Sequence, residues 1–397
     1  MIGLKPKLNI MFVLYHDFST ASAIHVHNLA NALSRYGHRC SVAIRLNKPS
    51  VEQYMDDAAL YSIYDFSEIL NDGIVFSGKR RIDIIHAWTP RELVRIFCLK
   101  LQEKYPGSRI VVHLEDNEEI VVETYAGTPY EELLSLPDAD IQSKIPDVLS
   151  YPGKYEEFLT AADGVTVITK ELLDFVPAEK KWHLLWPVID LKRFNPRIDG
   201  RAVRKDLGIS SDEFVLCYIG SVHAVNGPEV RSLYEAVALS NNRGAKTTLL
   251  RTGRDTVDFL GKYDSELKKN VLELGFVDMN KVPGLMAAAD LLVQPGCADR
   301  FNRYRLPSKI PEFLASGKPV AAPAANIGLI LDNESQAIIL QRGDSDEIAD
   351  LICSIRNNRP LQKRLAKGGR AFAKKNFSRK KIVGELVLFY RGLSRES

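Results

Sequence analysis

The chain has 397 residues, 45% hydrophobic and 26% charged, with a formal net charge of +3. That length exceeds one ordinary core and suits two domains of about 100–200 residues, while the balance excludes disordered, fibrous and collagen-like classes. No apolar run approaches the ~20 residues that a bilayer-spanning helix needs.

In chain order, "LNIMFVLYH" (Leu8–His16) reads as a first buried strand rather than the core of a secretion signal. A helix from about Ser22 to Tyr36 follows and ends at Gly37, a C-cap suited to the left-handed conformation. "RCSVAIRL", "IDIIHAW", "RIVVHLED" and "GVTVIT" are the next strands, with helical segments between or after them. Their continuous Val/Ile/Leu runs mark a parallel sheet covered on both faces. Pro129, Pro137 and Pro146 predict loop and short helices from about Glu118 to Ser150. Pro187 and Pro196 bracket an extended connector, and "EFVLCYIGS" then opens a second alternating series. Its later strands are "KTTLLRTG", "VLELGF", "DLLVQPG", "KPVAAPA" and "AIILQRG". The expectation is an α/β fold of two similar domains joined near residues 190–200.

Charge is distributed unevenly. Residues 1–190 hold 19 Lys and Arg against 27 Asp and Glu, the remainder 34 against 23, and the stretch from Arg356 onward alone 13 against 2. The basic tail reads as a solvated helix face, a surface docking on the acidic first half, or a contact with an anionic membrane. Its basic residues are not interleaved with stacking aromatics, so no nucleic-acid partner is expected. The cysteines (Cys40, Cys98, Cys217, Cys297 and Cys353) are scattered and never spaced C-x-x-C, as for thiols in a reducing cytoplasm.

Open parallel sheets bind ligands outside the carboxyl ends of their strands. In the first half those places hold His16 and Asp17, then His86 to Trp88, then His113 to Asp116. In the second half they hold Gly220 and Ser221, Thr252 to Arg254, Gly275 to Val277, and Pro295 and Gly296. Three strand-end histidines in one domain point to a cleft that faces something polar. The chain contains no G-x-G-x-x-G, no P-loop and no G-x-S-x-G, which excludes dinucleotide dehydrogenases, P-loop NTPases and α/β-hydrolase-type serine esterases. His25 and His27, two apart on a helix, face different ways, and the Asp138–Asp140 "DAD" is too short a pattern to carry a metal; none is expected.

The stretch "RLPSKIPEFLASGKPVAAP" (Arg305–Pro323) carries the most chemistry. Pro307 and Ser308 stop extended chain and offer an N-cap hydroxyl. A helix from about Lys309 turns free N–H groups and its positive dipole end toward the strand ends, where a phosphate would sit. Glu312, one turn in, could accept two hydroxyl hydrogen bonds from a ribose diol, or face solvent and serve the helix dipole.

"PSKIPEFLASGKPVAAP" resembles the signature of retaining GT-B glycosyltransferases of glycosyltransferase family 4, also called glycosyl transferases group 1. "LGFVDMNKVPGLMAAADLLVQPG", "WPVIDLKRFNP", "HVHNLANALSRYGHRCSV" and "ADGVTVITKEL" are similar to further blocks of that family, in its order and over nearly the whole chain. The resemblance implies two facing Rossmann-like domains with parallel sheets and an interdomain cleft. Residues 1–192 would be the acceptor domain, 193–376 the nucleotide-sugar donor domain, and 377–397 a C-terminal helix crossing back onto the first.

The implied function is a retaining, metal-independent, cytoplasmic glycosyltransferase of glycan biosynthesis, possessing no cofactor beyond its donor substrate. The donor is a nucleotide-diphosphate sugar; the acceptor is a glycan, a lipid-linked group or a small molecule. Peripheral membrane contact is compatible with it. A non-catalytic nucleotide-sugar scaffold and a nucleotide-sugar epimerase are the alternatives on the same fold.

Residue by residue, the resemblance assigns Glu312 to the ribose hydroxyls, and Gly220 and Ser221 to the diphosphate turn. Phe276 and Val277 fall near the base, His113 faces the donor sugar, and Pro307 and Ser308 lead into the phosphate-binding helix. His113, Glu312 and Lys309 are the expected catalytic set, with Arg254 and Tyr304 added to the donor side and His16, Asp17, His86 and Trp88 on the acceptor side. The chain departs from the family pattern at Tyr304, where the first glutamate of a pair would stand, and at Ser221 and Asn226, where phosphate-binding cations are usual. Arg254, Arg300, Arg303, Arg305 and Lys309 are the candidate substitutes, Lys309 and Arg254 the best placed.

Overall fold

The computed structural model describes residues 6–55, 57–72 and 81–393. Contacts divide the chain into two compact units, Met1–Val188 with Arg379–Ser397, and Ile189–Ser378.

The first unit is built on a seven-stranded sheet. Its strands are β1 (Asn9–Leu14), β2 (Arg39–Ile44), β3 (Ser62–Asp65), β4 (Ile84–Trp88), β5 (Arg109–Leu114), β6 (Gly164–Val167) and β7 (Trp182–Leu184). They lie in the order β3-β2-β1-β4-β5-β6-β7, every neighbouring pair parallel. The order reverses between β1 and β4, and such a switch point leaves a crevice at the strands' carboxyl ends. β1 is buried at all six positions, as a strand covered on both faces must be. The edge strands β3 and β7 were not legible as strands, because neither "SIYD" nor "WHL" is a buried apolar run and both are mostly part-exposed.

The helix Ala21–Arg35 covers one face, capped by the Thr20 side chain accepting from the Ala23 amide. Beside it packs the last helix, Arg379–Gly392, although nearly 200 residues of the other unit precede it in the chain. Ile382, Val383, Leu386, Val387, Tyr390 and Leu393 enter one core with Phe12, Leu33, Val42 and Trp88. Of the three readings of the basic tail, docking by charge does not describe this helix, whose seam is apolar. Burying a side chain of this size contributes about 1.5–3 kcal/mol.

The second unit carries a six-stranded sheet. It contains β8 (Phe214–Ile219), β9 (Thr247–Thr252), β10 (Val271–Glu273), β11 (Leu291–Val293), β12 (Val320–Pro323) and β13 (Ile338–Leu340). Their order is β10-β9-β8-β11-β12-β13, again all parallel, with the switch point between β8 and β11. The helices Gly227–Asn242 and Ser345–Ile355 pack on each other, and Val230, Leu233, Val237, Ile348 and Ile352 join its core. Among the described residues no helix is long and apolar enough to cross a membrane.

Candidate functional site

In the second unit, three strand-end loops are tied together by backbone. The Gly253 amide donates to the Gly275 carbonyl at 2.8 Å, the Gly220 amide to the Thr252 carbonyl at 3.2 Å, and the Arg254 amide to Ser221 Oγ at 3.2 Å. Gly253 makes this approach possible: at φ +114° it adopts a conformation other residues avoid, and a Cβ there would strike the Gly220 carbonyl. The loops therefore bring Gly220, Ser221, Arg254 and Phe276 into one cluster. The Arg254 guanidinium lies 4.8 Å from the centre of the Phe276 ring, which is 64% exposed. That is a cation–π platform offering a flat face and a charge together. Val277 is half-buried beside it in sequence.

The helix Lys309–Ser316 starts behind Pro307 and ends at Gly317, φ +73°. Ser308 does not cap it: the residue is itself right-handed helical and its hydroxyl makes no cap bond, which corrects the sequence expectation. The first amides of this helix are thus not satisfied by a capping side chain. Glu312 is buried with only 9% exposure. Lys309 Nζ stands 3.2 Å from Glu312 Oε2, an ion pair whose direction is too poor for a hydrogen bond, so that buried oxygen keeps an unused lone pair. Tyr304 closes the preceding short helix, half-buried, with Arg303 over its ring at 5.1 Å.

A polar group missed in the sequence adjoins these loops. Asn302, wholly buried, donates through Nδ2 to Glu229 and accepts at Oδ1 from Arg305 Nε at 3.1 Å and Nη2 at 2.8 Å. Arg305 also faces Glu229 at 3.4 Å and lies over Phe301. Of the candidate cations, Arg305 and Lys309 are therefore both already engaged with carboxylates, Glu229 and Glu312. Burial pushes the Glu229 carboxyl above the usual range, against the bond from Asn302 and the charge of Arg305. Nothing in the spacing of Glu229 from Asn302 signals this contact.

In the first unit, His16 and Asp17 follow β1 at the surface. Burial raises the Asp17 carboxyl, but bonds from Ser19, Asn47 and His16 outweigh it and hold it at about 2. His86 and Trp88 are buried as His113 is. β4 extends through Trp88, so His86 lies mid-strand on the same core-facing side, and the two are 0% and 2% exposed.

His113 is the last residue but one of β5, fully buried, its ring 3.9 Å from that of Trp88. Burial lowers its imidazole to about 3 against the pull of Glu115. Its Nδ1 bonds Thr166 Oγ1 at 2.9 Å, and its Nε2 has no hydrogen-bond partner, with Glu115 Oε1 4.0 Å away. Burial would raise the Glu115 carboxyl, but the bond from His25 at 3.1 Å, electrostatic attraction toward the His25 and His113 rings, and the Ser22 hydroxyl bring it to about 2. His25, set aside in the sequence as half of a poor metal pair, thus meets a strand-end carboxylate at hydrogen-bond distance. Below this cluster the buried Arg91 bonds Thr89 Oγ1 at 3.1 Å, pairs with Glu118 at 3.1 Å and lies over the Tyr15 ring. Among the described residues no three His, Cys, Asp or Glu side chains are grouped to hold a metal ion.

The architecture, an α/β chain with two parallel sheets, is that of GT-B glycosyltransferase structures. Residues 213–358, which span the second unit's strand-end cluster, match the family model of glycosyl transferases group 1. The chain is 27% identical over 222 residues to the lipopolysaccharide core biosynthesis mannosyltransferase LpsB of Rhizobium meliloti, covering 52% of this chain and 60% of that one. Of the first two curated relatives it matches, the chain spans 60% and 48% of the length. Among solved structures, sucrose-phosphate synthase from Thermosynechococcus elongatus superposes with a TM-score of 0.71 at 17% identity, over 98% of this chain and 99% of that one. Anabaena HepE in complex with UDP-glucose gives 0.68 at 16%, over 97% and 100%. Identities this low establish the fold alone.

Proposed function

We propose that this protein is a glycosyltransferase that moves a sugar from a nucleotide-diphosphate donor to a hydroxyl of a glycan, lipid-linked or small-molecule acceptor. It retains the anomeric configuration and uses neither a metal nor a resident cofactor. The second unit takes the donor and the first the acceptor. The observation that carries this reading is Glu312: a buried carboxylate with an unused oxygen, in the first turn of a helix within the matched segment. A ribose diol supplies the hydroxyl donors that such an oxygen lacks. The relatives are named for sugar transfer, and the HepE structure holds UDP-glucose, which supports the same donor class here.

In the reaction the bond between the anomeric carbon and the diphosphate oxygen breaks, and the acceptor oxygen bonds that carbon. The acceptor's proton leaves with the diphosphate. The developing charge would be met by Lys309 and by the amides at the start of its helix, with the Gly220–Ser221 turn beside them; preorganised donors of this kind supply most of such a barrier's lowering. Arg254 and the Phe276–Val277 loop would hold the base, Pro307, Ser308 and Tyr304 would shape the entry to the helix, and His113 would face the sugar. His16, Asp17, His86 and Trp88 would form the acceptor side, His16 and Asp17 nearest the surface. All five cysteines are free, which supports a cytoplasmic, reducing location; contact of the basic tail with an anionic membrane is compatible with it.

The test is incubation with UDP-, GDP- and ADP-sugars, with and without crude glycan or lipid extract, reading nucleotide release and the anomeric form of the product. Acceptor-dependent release is expected. Binding without release would make the protein a scaffold, and an isomerised donor would make it an epimerase.

A further inference from the structure

Four side chains form a buried line inside the first unit. Tyr390 Oη, on the last helix, lies 2.7 Å from His86 Nδ1; His86 Nε2 lies 3.0 Å from Thr166 Oγ1; and that same oxygen lies 2.9 Å from His113 Nδ1. Tyr390 is 1% exposed and the other three are 0% exposed. Beyond His113 Nε2, at 4.0 Å, stands the Glu115 carboxylate.

We propose that Tyr390 is a positioning residue that sets the tautomer of His113 through His86 and Thr166, so that His113 presents a neutral Nε2–H donor. Two directions are possible along the line, one leaving the His113 Nε2–H and the other the Tyr390 O–H without an acceptor, and the Glu115 carboxylate beside Nε2 compensates only the first. Among the described residues the Tyr390 hydroxyl has one polar partner, His86 Nδ1, and a buried O–H that fails to donate costs about 1–3 kcal/mol. Tyr390 therefore donates, His86 Nδ1 accepts, and the His86 proton resides on Nε2. That N–H donates to Thr166 Oγ1. The threonine hydrogen then goes to its other partner, His113 Nδ1, which accepts it rather than donating to the Thr166 carbonyl also near that ring. The His113 proton is thereby on Nε2.

From the opposite end the Glu115 carboxylate favours the same arrangement, since a negative charge 4.0 Å from Nε2 draws a proton there. Burial keeps both imidazoles neutral, so neither ring adds a second proton near pH 7. For the function this means, on the sugar-transfer reading, that His113 gives a hydrogen bond to a sugar oxygen and does not withdraw a proton from one. The phenol that decides this is 277 residues away from His113 in the chain (390 against 113).

The test needs no sugar, so its failure is distinct from a failure of the transfer reading. Full-length protein labelled with ¹⁵N-histidine is observed by long-range ¹H–¹⁵N correlation at pH 7, with signals assigned by their loss in His86→Gln and His113→Gln. Single Nε2–H forms are expected for both residues. Tyr390→Phe should remove the driving donor, and both rings should lose that single form. Should Tyr390→Phe unfold, Thr166→Val is expected to release His113 alone, and Thr166→Ser to restore it. A wild-type His113 protonated on Nδ1 or on both nitrogens overturns the proposal. So does a His113 signature unchanged by Tyr390→Phe or by Thr166→Val.

Discussion

Glu312, His113 and Glu115 owe their properties to what surrounds them more than to what they are. Glu312 is held by packing with one oxygen that faces Lys309 but accepts no hydrogen bond, so its removal should leave the fold and weaken the nucleotide. A lost hydrogen bond to a charged group costs about 1.5–3 kcal/mol, or roughly 10- to 100-fold in affinity. Calorimetry of Glu312→Ala with UDP, GDP and ADP is expected to show that loss for whichever nucleotide binds the parent protein, with an unchanged melting curve. The histidines make a prediction about acid. Folding holds His86 and His113 below the ordinary value of 6.5, His113 at about 3. Above pH 6.5 neither the folded nor the unfolded state holds these protons. As pH falls from 6.5 toward 3 the unfolded chain binds them first, so stability drops. Glu115 adds a loss in the same direction between 4.5 and about 2. Thermal melts from pH 7 to pH 4 should fall steadily, and calorimetry should detect proton uptake on unfolding.

At the scale of elements, the last helix and the strand-end loops carry the sharpest consequences. Leu386 sits wholly buried in the first unit's core, and Leu386→Ala should destabilise by about 2–5 kcal/mol, a fall in melting temperature readable by circular dichroism. Its loss should not touch nucleotide binding, because the helix belongs to the other unit's core. Gly253→Ala is the converse case. Its methyl would strike the Gly220 carbonyl and strain a positive φ, pushing the Gly220–Ser221 turn away from Arg254. Nucleotide affinity is expected to fall by at least 10-fold, measured by the same calorimetry. The central strands were legible because both faces are buried and the residues are nearly all apolar. The edge strands β3 and β7 were not, since half-exposed strands of three or four residues leave no run to read. The Ser308 cap failed for a local reason: the residue adopts helical angles itself, so its hydroxyl cannot reach back to the free amides.

For the molecule as a whole, the division of the chain makes a simple prediction. Residues 189–378 are contiguous and own a complete six-stranded sheet with its core, so expressed alone they should unfold cooperatively. Residues 1–188 alone lack six apolar side chains of their core and should be insoluble or molten until 379–397 are supplied, as checked by near-ultraviolet dichroism. By itself the sequence determined the α/β alternation, the parallel sheets, the strand ends that bear chemistry and the helix bearing Glu312, because these follow from short-range periodicity and turn residues. Only the tertiary structure decided that His86 and Trp88 are core, that His25 meets Glu115, that Asn302 joins Glu229 to Arg305, and that Tyr390 reaches His86. Each of these is a contact between residues far apart in the chain, and neither periodicity nor spacing encodes which distant side chain fills the space beside a buried polar atom.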